Sequence, residues 1–432
     1  ESGMKLDMTI MSVSGRMAAW CVLVACVVWL GGCGATRPDG NTPLSTLADS
    51  IFRDERQTEI IVHDSASVPG LRFSTNGSVE ISRVVGRDSW AVVHTASLGV
   101  PAVLPGASEA AANTQPVARE SVLTSPVLEL RRGVREILPS WNLAPTPGSG
   151  VRVEVRAGST RLGRWTEWFD IGGTGVMRPV VAAPVVKPGS SDFGAKVDVD
   201  VLVLTGQLAD RVQYRLIGYG TGPIFVSSVT ICASVAQDPK LASAAALASP
   251  AQPLASPALP PVTGRLGLEF KTQRTQRSEL SGRLCSPTSV AMVVGGATRL
   301  PLEVQTVAER AYDVKHDLYG NWPRNVQAAY ELGARGFVTR YSTWAQVERT
   351  LARGIPIVAS IRVKTGELRG APYEKTDGHL IVIEGLDERG DVLVLDPAAS
   401  DAKTGTLTYR REDMTRVWFG GSDGTAYVLL AR

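Results

Sequence analysis

At 432 residues the chain is too long for one ordinary domain and has room for two or three compact units. Hydrophobic residues make up 44% and charged residues 20%, a globular balance that excludes global disorder. The formal charge of +3 is spread without a long Lys/Arg run, so the chain carries no footprint for nucleic acid.

Residues 1–33 read as a targeting segment. Lys5 and Arg16 supply a positive flank, and Met17–Leu30 is apolar but shorter than the roughly 20 residues of a membrane span. The stretch ends in Leu30-Gly31-Gly32-Cys33, which resembles the lipobox of bacterial lipoproteins. In that family the peptide is cut before the cysteine. The resemblance therefore implies lipidation at Cys33 and a place in the cell envelope, anchored on the extracytoplasmic side of a bacterial membrane. An uncleaved signal anchor is the competing reading. Cleavage would remove Cys21 and Cys26, leaving Cys232 and Cys285 as ordinary side chains, too few for a disulfide scaffold although the two could pair. Residues 34–58, rich in Gly, Pro, Thr and Asp, read as a tether.

Residues 59–234 carry strand patterns: Val151 to Arg156 alternates with period two, and Val197–Leu204, Tyr214–Ile217 and Ile224–Cys232 are further strands. Turn residues separate these runs, which predicts an antiparallel β-sandwich. Trp90, Trp141, Trp165 and Trp168 could form an aromatic platform for cell-wall sugar, or could equally be packing residues. Residues 235–262 are mostly Ala, Pro, Ser and Leu and read as a semi-stiff linker between domains.

From 263 to 432 the pattern changes. Helical spacing runs over Ser286–Val294, Leu302–Tyr312, Pro323–Leu332 and Thr343–Ala352. Strands follow at Ile355–Val363, His379–Leu386, Val392–Leu395 and Ala426–Leu430, which predicts an α+β fold.

The run Leu284-Cys285-Ser286-Pro287-Thr288-Ser289 places a cysteine at a helix start, where unpaired N–H groups and the helix dipole favour a thiolate. Pro287 fits the first turn. A thiolate nucleophile needs a base, and the chain has four histidines: His63, His94, His316 and His379. His379 opens the apolar strand Leu380-Ile381-Val382-Ile383, and Asp396 ends the next one, joined through the turn Asp387–Gly390. Each residue alone has a structural explanation; their order within one domain points to a Cys285–His379–Asp396 triad. No His/Cys/Asp cluster has metal-ligand spacing, and no cofactor is implied.

These motifs resemble the papain-fold cysteine peptidase-like family typified by bacteriocin-processing (double-glycine leader) peptidases. The likeness spans Leu266–Arg432 and includes Gly320-Asn321-Trp322-Pro323, Gly354-Ile355-Pro356 and Tyr427-Val428. It implies that Cys285 is the nucleophile, His379 the general base and Asp396 the orienting acid, with a peptide or protein as substrate. It also implies an oxyanion hole from the Cys285 N–H and an upstream glutamine side chain. Gln276 is favoured over Gln273, while Glu279 stands where some relatives carry the glutamine. Ser286 stands where transporter-fused members have glycine. The expected function is a membrane-anchored cysteine hydrolase cleaving peptide or amide bonds through a thioester. Amidase or acyltransferase chemistry shares that intermediate, and a non-catalytic binding or cell-wall adaptor lipoprotein is the rival of another class.

Overall fold

Alternation shapes the first half. Along β7 (Gly150–Ser159), Val151, Val153, Val155 and Ala157 are buried on one face, while Arg152 and Arg156 point the other way and are half-buried. β12 (Ala209–Gly220) repeats the pattern with Val212, Tyr214 and Leu216 inward. The computed structural model describes residues 42–52, 58–64, 83–84, 90–92, 119–176, 194–220, 224–235, 263–274 and 278–432.

One sheet of the first half runs β4 (Arg119–Thr124), β12, β7 and β8 (Arg164–Trp165), with β5 (Leu128–Val134) also on β12 and β9 (Phe169–Gly175) also on β7. The other runs β10 (Ala195–Asp198), β11 (Val201–Leu204), β6 (Glu136–Pro145), β13 (Ile224–Ser234), β3 (Trp90–Val92) and β2 (Arg83–Val84), with β1 (Thr58–Asp64) on β13. All pairings are antiparallel. The two sheets share an apolar core in which Ile137, Trp141 and Leu143 meet Val153, Val155 and Tyr214.

The second sheet is buried on its other face too. Leu138, Val201 and Cys232 join a core with residues of the C-terminal half, among them Val290, Val326, Val338 and Tyr427. Gly34–Arg432 consequently forms a single compact unit.

In the C-terminal half an antiparallel sheet runs β15 (Ala334–Arg340), β20 (Thr425–Ala431), β16 (Ile357–Val363), β17 (Thr376–Leu386), β18 (Val392–Leu395) and β19 (Thr406–Tyr409), with β14 (Gly264–Arg265) on β17. Helix α2 (Cys285–Thr298) packs on the face that presents Val358, Leu380 and Val382, and α3 (Val304–Ala311) and α4 (Trp322–Glu331) join that side. The opposite face meets α5 (Trp344–Leu351), Trp418 and Phe419. Among the described residues strands outweigh helices, and the longer helices lie in the C-terminal half.

Two features depart from the sequence reading. Residues 34–58 are not simply a tether: Leu44–Phe52 forms helix α1, whose Leu44, Leu47, Ala48, Ile51 and Phe52 pack into the C-terminal core beside Phe337 and Tyr341. Those positions have the i, i+3, i+4, i+7, i+8 spacing of a buried helical stripe, which the polar surroundings mask. Strand β15 is also missing from the sequence reading, because its two arginines hide the pattern; both are buried, and Arg340 pairs with Glu136 of the first half. The targeting segment 1–33, with Cys33, and all of the linker but residue 235 lie outside the described residues.

β15 is an edge strand, and side chains rather than another strand close its outer edge. Asn142 Nδ2 donates to the Gly336 carbonyl at 2.7 Å, its Oδ1 accepts from the Gly336 N–H at 3.1 Å, and Ser140 Oγ accepts from the Val338 N–H at 3.0 Å. Gln327 of α4 returns the arrangement, bonding both the N–H and the carbonyl of Leu143. An open edge would leave a row of unpaired backbone groups, so these contacts bind the two halves where the sheet most needs a neighbour.

Candidate active site

Cys285 is the first residue of α2. No side chain caps this helix start, and the buried Pro287 occupies the first turn. The N–H groups of Ser286 and Leu380 face the Cys285 thiol. Ser286 is itself fully buried, with Oγ 2.9 Å from Tyr427 Oη, which gives the hydroxyl a partner at the position where transporter-fused relatives have glycine.

His379 and Asp396 come from adjacent strands. Val382 pairs with Leu395, so one further step sets Asp396 across from Ile381. His379 lies two residues from Ile381 and shares its face, a diagonal neighbour within side-chain reach. The connecting turn is held by Asp387 Oδ1, which accepts from the N–H groups of Arg389 and Asp391. His379 Nε2 lies 2.8 Å from Asp396 Oδ1, which leaves Nδ1 as the ring nitrogen available to the thiol.

Asp396 is fully buried and saturated with donors. Oδ1 also accepts from the Ala398 N–H at 3.0 Å, and Oδ2 accepts from Tyr373 Oη at 3.0 Å and Tyr409 Oη at 2.8 Å. The Tyr373 ring stands edge-on to the imidazole with centroids 4.9 Å apart. Neither tyrosine is singled out by the sequence, where each is an ordinary aromatic in a loop or short strand.

The charges cooperate. Burial would raise the Cys285 thiol, but the hydrogen bond and charge of His379, with the two N–H groups, hold it below the usual thiol value. Burial opposes a charged His379, yet Asp396 and the Cys285 sulfur outweigh it and push the imidazole up to about 10. Burial likewise opposes a charged Asp396, but the His379 charge and the donors around it hold it below the usual carboxylate range. The arrangement therefore favours a thiolate–imidazolium pair backed by a carboxylate over a neutral thiol and imidazole. Such a pair can attack a carbonyl carbon and then protonate a leaving amine.

A second His–Asp pair, His316 Nδ1 with Asp313 Oδ2 at 2.7 Å, lies on a half-buried loop, and His63 Nδ1 bonds Tyr214 Oη in the first half. Cys232 and Cys285 are both free thiols, so the pairing left open by the sequence is not made. Gln276 lies outside the described residues. Gln273 is buried beside the Asp396 loop, its N–H bonding the Pro397 carbonyl and its Nε2 spent on the Ser281 carbonyl at 2.7 Å; Glu279 is exposed. Among the described residues no group of three or more His, Cys, Asp or Glu could hold a metal ion.

Trp141, Trp165 and Trp168 do not share one exposed platform. Trp141 is fully buried, because β6 is covered on both faces. Trp165 and Trp168 have their faces occupied by guanidinium groups: Arg156 stacks on both at 4.5 and 4.6 Å, Arg211 on Trp165 and Arg215 on Trp168. The side chain of Trp90 lies outside the described residues.

Residues 266–422 match the Peptidase C39 like family, and residues 88–234 match the Peptidase C39 N-terminal domain. No curated protein matches the chain. The helix-start cysteine and the strand-borne His–Asp pair fall inside the first match, and the two sheets before them, apart from β1 and β2, fall inside the second. The chain belongs to the C39 group of papain-like cysteine peptidases, with the N-terminal domain of that group preceding the peptidase-like domain.

Proposed function

We propose that this protein is an extracytoplasmic, membrane-anchored cysteine hydrolase that cleaves peptide or amide bonds through Cys285, His379 and Asp396. The family points to cysteine peptidase activity and to a peptide or protein substrate. The observation that carries the finer reading is the 2.8 Å bond between His379 and a fully buried Asp396, with the imidazole supporting a depressed thiol at the start of α2.

In the reaction the Cys285 thiolate attacks the scissile carbonyl carbon, forming an S–C bond while the carbonyl oxygen takes up negative charge. Collapse breaks the C–N bond, and His379 gives its proton to the departing amine, leaving a thioester. Water then attacks that thioester while His379 takes its proton, and thiolate and imidazolium are restored as the acid leaves. The backbone N–H of Cys285 is one oxyanion donor; Gln276 is the side chain proposed for the other.

The first half reads as a β-sandwich module and the second as a papain-like fold. Lipidation at Cys33 rests on the apolar run Met17–Leu30 and the small residues before the cysteine. Metabolic labelling with an alkyne fatty acid, lost in Cys33→Ser, tests the anchor. A binding lipoprotein with a retired site is the alternative reading, and it gains nothing from Cys285, which is a free thiol.

The chemistry is tested by alkylating the full chain with iodoacetamide between pH 5 and 9, beside Cys285→Ala and His379→Ala. Labelling at Cys285 that is fast well below the free-thiol pKa of about 8.5, and slowed without His379, supports an activated thiolate. A rate that rises only near that value and ignores His379→Ala sinks the hydrolase reading.

A further inference from the structure

The His379–Asp396 pair is enclosed on its inner side by Tyr409, which is fully buried. On the other side stands Tyr373, half-buried between the exposed Pro372 and Glu374. Tyr373 belongs to the mostly exposed loop 364–375 that leads from β16 into β17. Several contacts dock this loop, among them a bond from Arg416 Nη1 to the Glu367 carbonyl at 3.0 Å. Leu368 is buried in the core beneath the sheet, and Arg369 makes a two-pronged bond to Asp413, Nε–Oδ2 at 2.9 Å and Nη2–Oδ1 at 3.0 Å. Gly366 and Gly370 flank those anchors in the left-handed region, with φ of 81° and 82°.

We propose that Tyr373 is a positioning residue: it closes the solvent side of the His379–Asp396 bond and fixes the second carboxylate oxygen, so that docking of the 364–375 loop sets how strongly Cys285 is activated. The proposal rests on the triad reading given above. An ion pair gains strength as water is removed from it, and a carboxylate whose two oxygens are both engaged cannot rotate away from its imidazole. Oδ2 has two phenol donors, Tyr373 and Tyr409, while Oδ1 is left to His379 and the Ala398 N–H. The titratable groups around the imidazole are Cys285 of α2, Asp396 after β18, Tyr409 of β19 and Tyr373 of the loop. Both phenols are pushed above their ordinary value by burial and by the Asp396 charge, so they stay protonated and donate throughout the working range. A substrate that engages the exposed loop would thereby act on the triad through one side chain.

The test is the pH profile of iodoacetamide labelling at Cys285 in the full chain, with circular dichroism to verify folding. Tyr373→Ala loses both the phenol donor and the ring that excludes water, and should move the acid limb of the profile up by about one pH unit. At pH values below the wild-type limb, labelling then falls by about tenfold. Tyr373→Phe loses the same phenol donor but keeps the ring against water, so its limb should move in the same direction by a smaller amount. Arg369→Gln, which loosens the loop without touching the triad, should shift the limb in the same direction as Tyr373→Ala. A folded Tyr373→Ala with an unchanged limb overturns the proposal. Should that variant not fold, an unchanged limb in Arg369→Gln overturns it instead. A wild-type limb near the free-thiol pKa is a different result: it removes the triad reading beneath the proposal.

Discussion

Asn142→Ala is the sharpest test of how the two halves hold together. The Asn142 amide serves three groups: the N–H and carbonyl of Gly336 on the edge of β15, and Ser228 Oγ at 2.6 Å on β13. Asn142 and Ser228 are fully buried, so water cannot replace what the truncation removes. Each backbone group left without a partner costs about 1–3 kcal/mol, and two of them imply about 2–6 kcal/mol of lost stability. Native domains are stable by only about 5–15 kcal/mol, so the loss is a large fraction of the total. Ser140→Ala removes one acceptor, that of the Val338 N–H, and should cost about half as much. Urea unfolding followed by tryptophan fluorescence, with Cys285 alkylation at each urea concentration, measures both the loss and its reach into the site. Both signals should shift to lower urea together. If Asn142→Ala unfolds within about 0.5 kcal/mol of the wild type, or if the Cys285 signal ignores it, the halves are not coupled through this edge.

Other outcomes follow from single groups. Asp200, buried at the start of β11, accepts from the Trp322 N–H at 2.7 Å, and burial pushes its carboxyl up to about 7. A carboxyl with a folded pKa above its unfolded value keeps its proton in the native state while the unfolded chain loses it. Stability from this group therefore falls between about pH 4 and 7 and levels off above. Asp200→Asn should gain on the wild type across that window and hold the gain at pH 8; parallel unfolding curves at pH 5 and 8 would refute the assignment. Ser286→Ala leaves the buried Tyr427 hydroxyl without its partner and should cost about 1–3 kcal/mol in urea unfolding while Cys285 labelling persists. Leu47→Asp places a charge against the core that α1 shares with Phe337 and Tyr341. It should destabilise the C-terminal half by several kcal/mol, whereas a neutral effect would mean that α1 is not docked.

The candidate site was legible because its three residues sit on or directly beside regular elements. A cysteine opening a helix, a histidine opening an apolar strand and an aspartate closing the next one are local patterns, and the register of β17 with β18 follows from a short turn. The support around them was not legible. Tyr373 and Tyr409 reach Asp396 from a loop and from β19, and no spacing in the sequence marks either. The same limit applies to Trp141, Trp165 and Trp168, which the sequence offers to a sugar platform but whose faces are buried or already stacked with arginine.

The sequence by itself determined the local structure: which segments alternate with period two, which turn with the helical repeat, and where a thiolate could be favoured. These depend on interactions within a few residues. Only the tertiary structure decided that the two halves form one body, since that rests on Asn142, Gln327 and Asp200 bonding groups more than a hundred residues away. It also decided that Leu44–Phe52 belongs to the core and that Arg340 of β15 is neutralised by Glu136. Burial is a property of what arrives from elsewhere in the chain, so a buried arginine or amide looks like surface until its partner is in place.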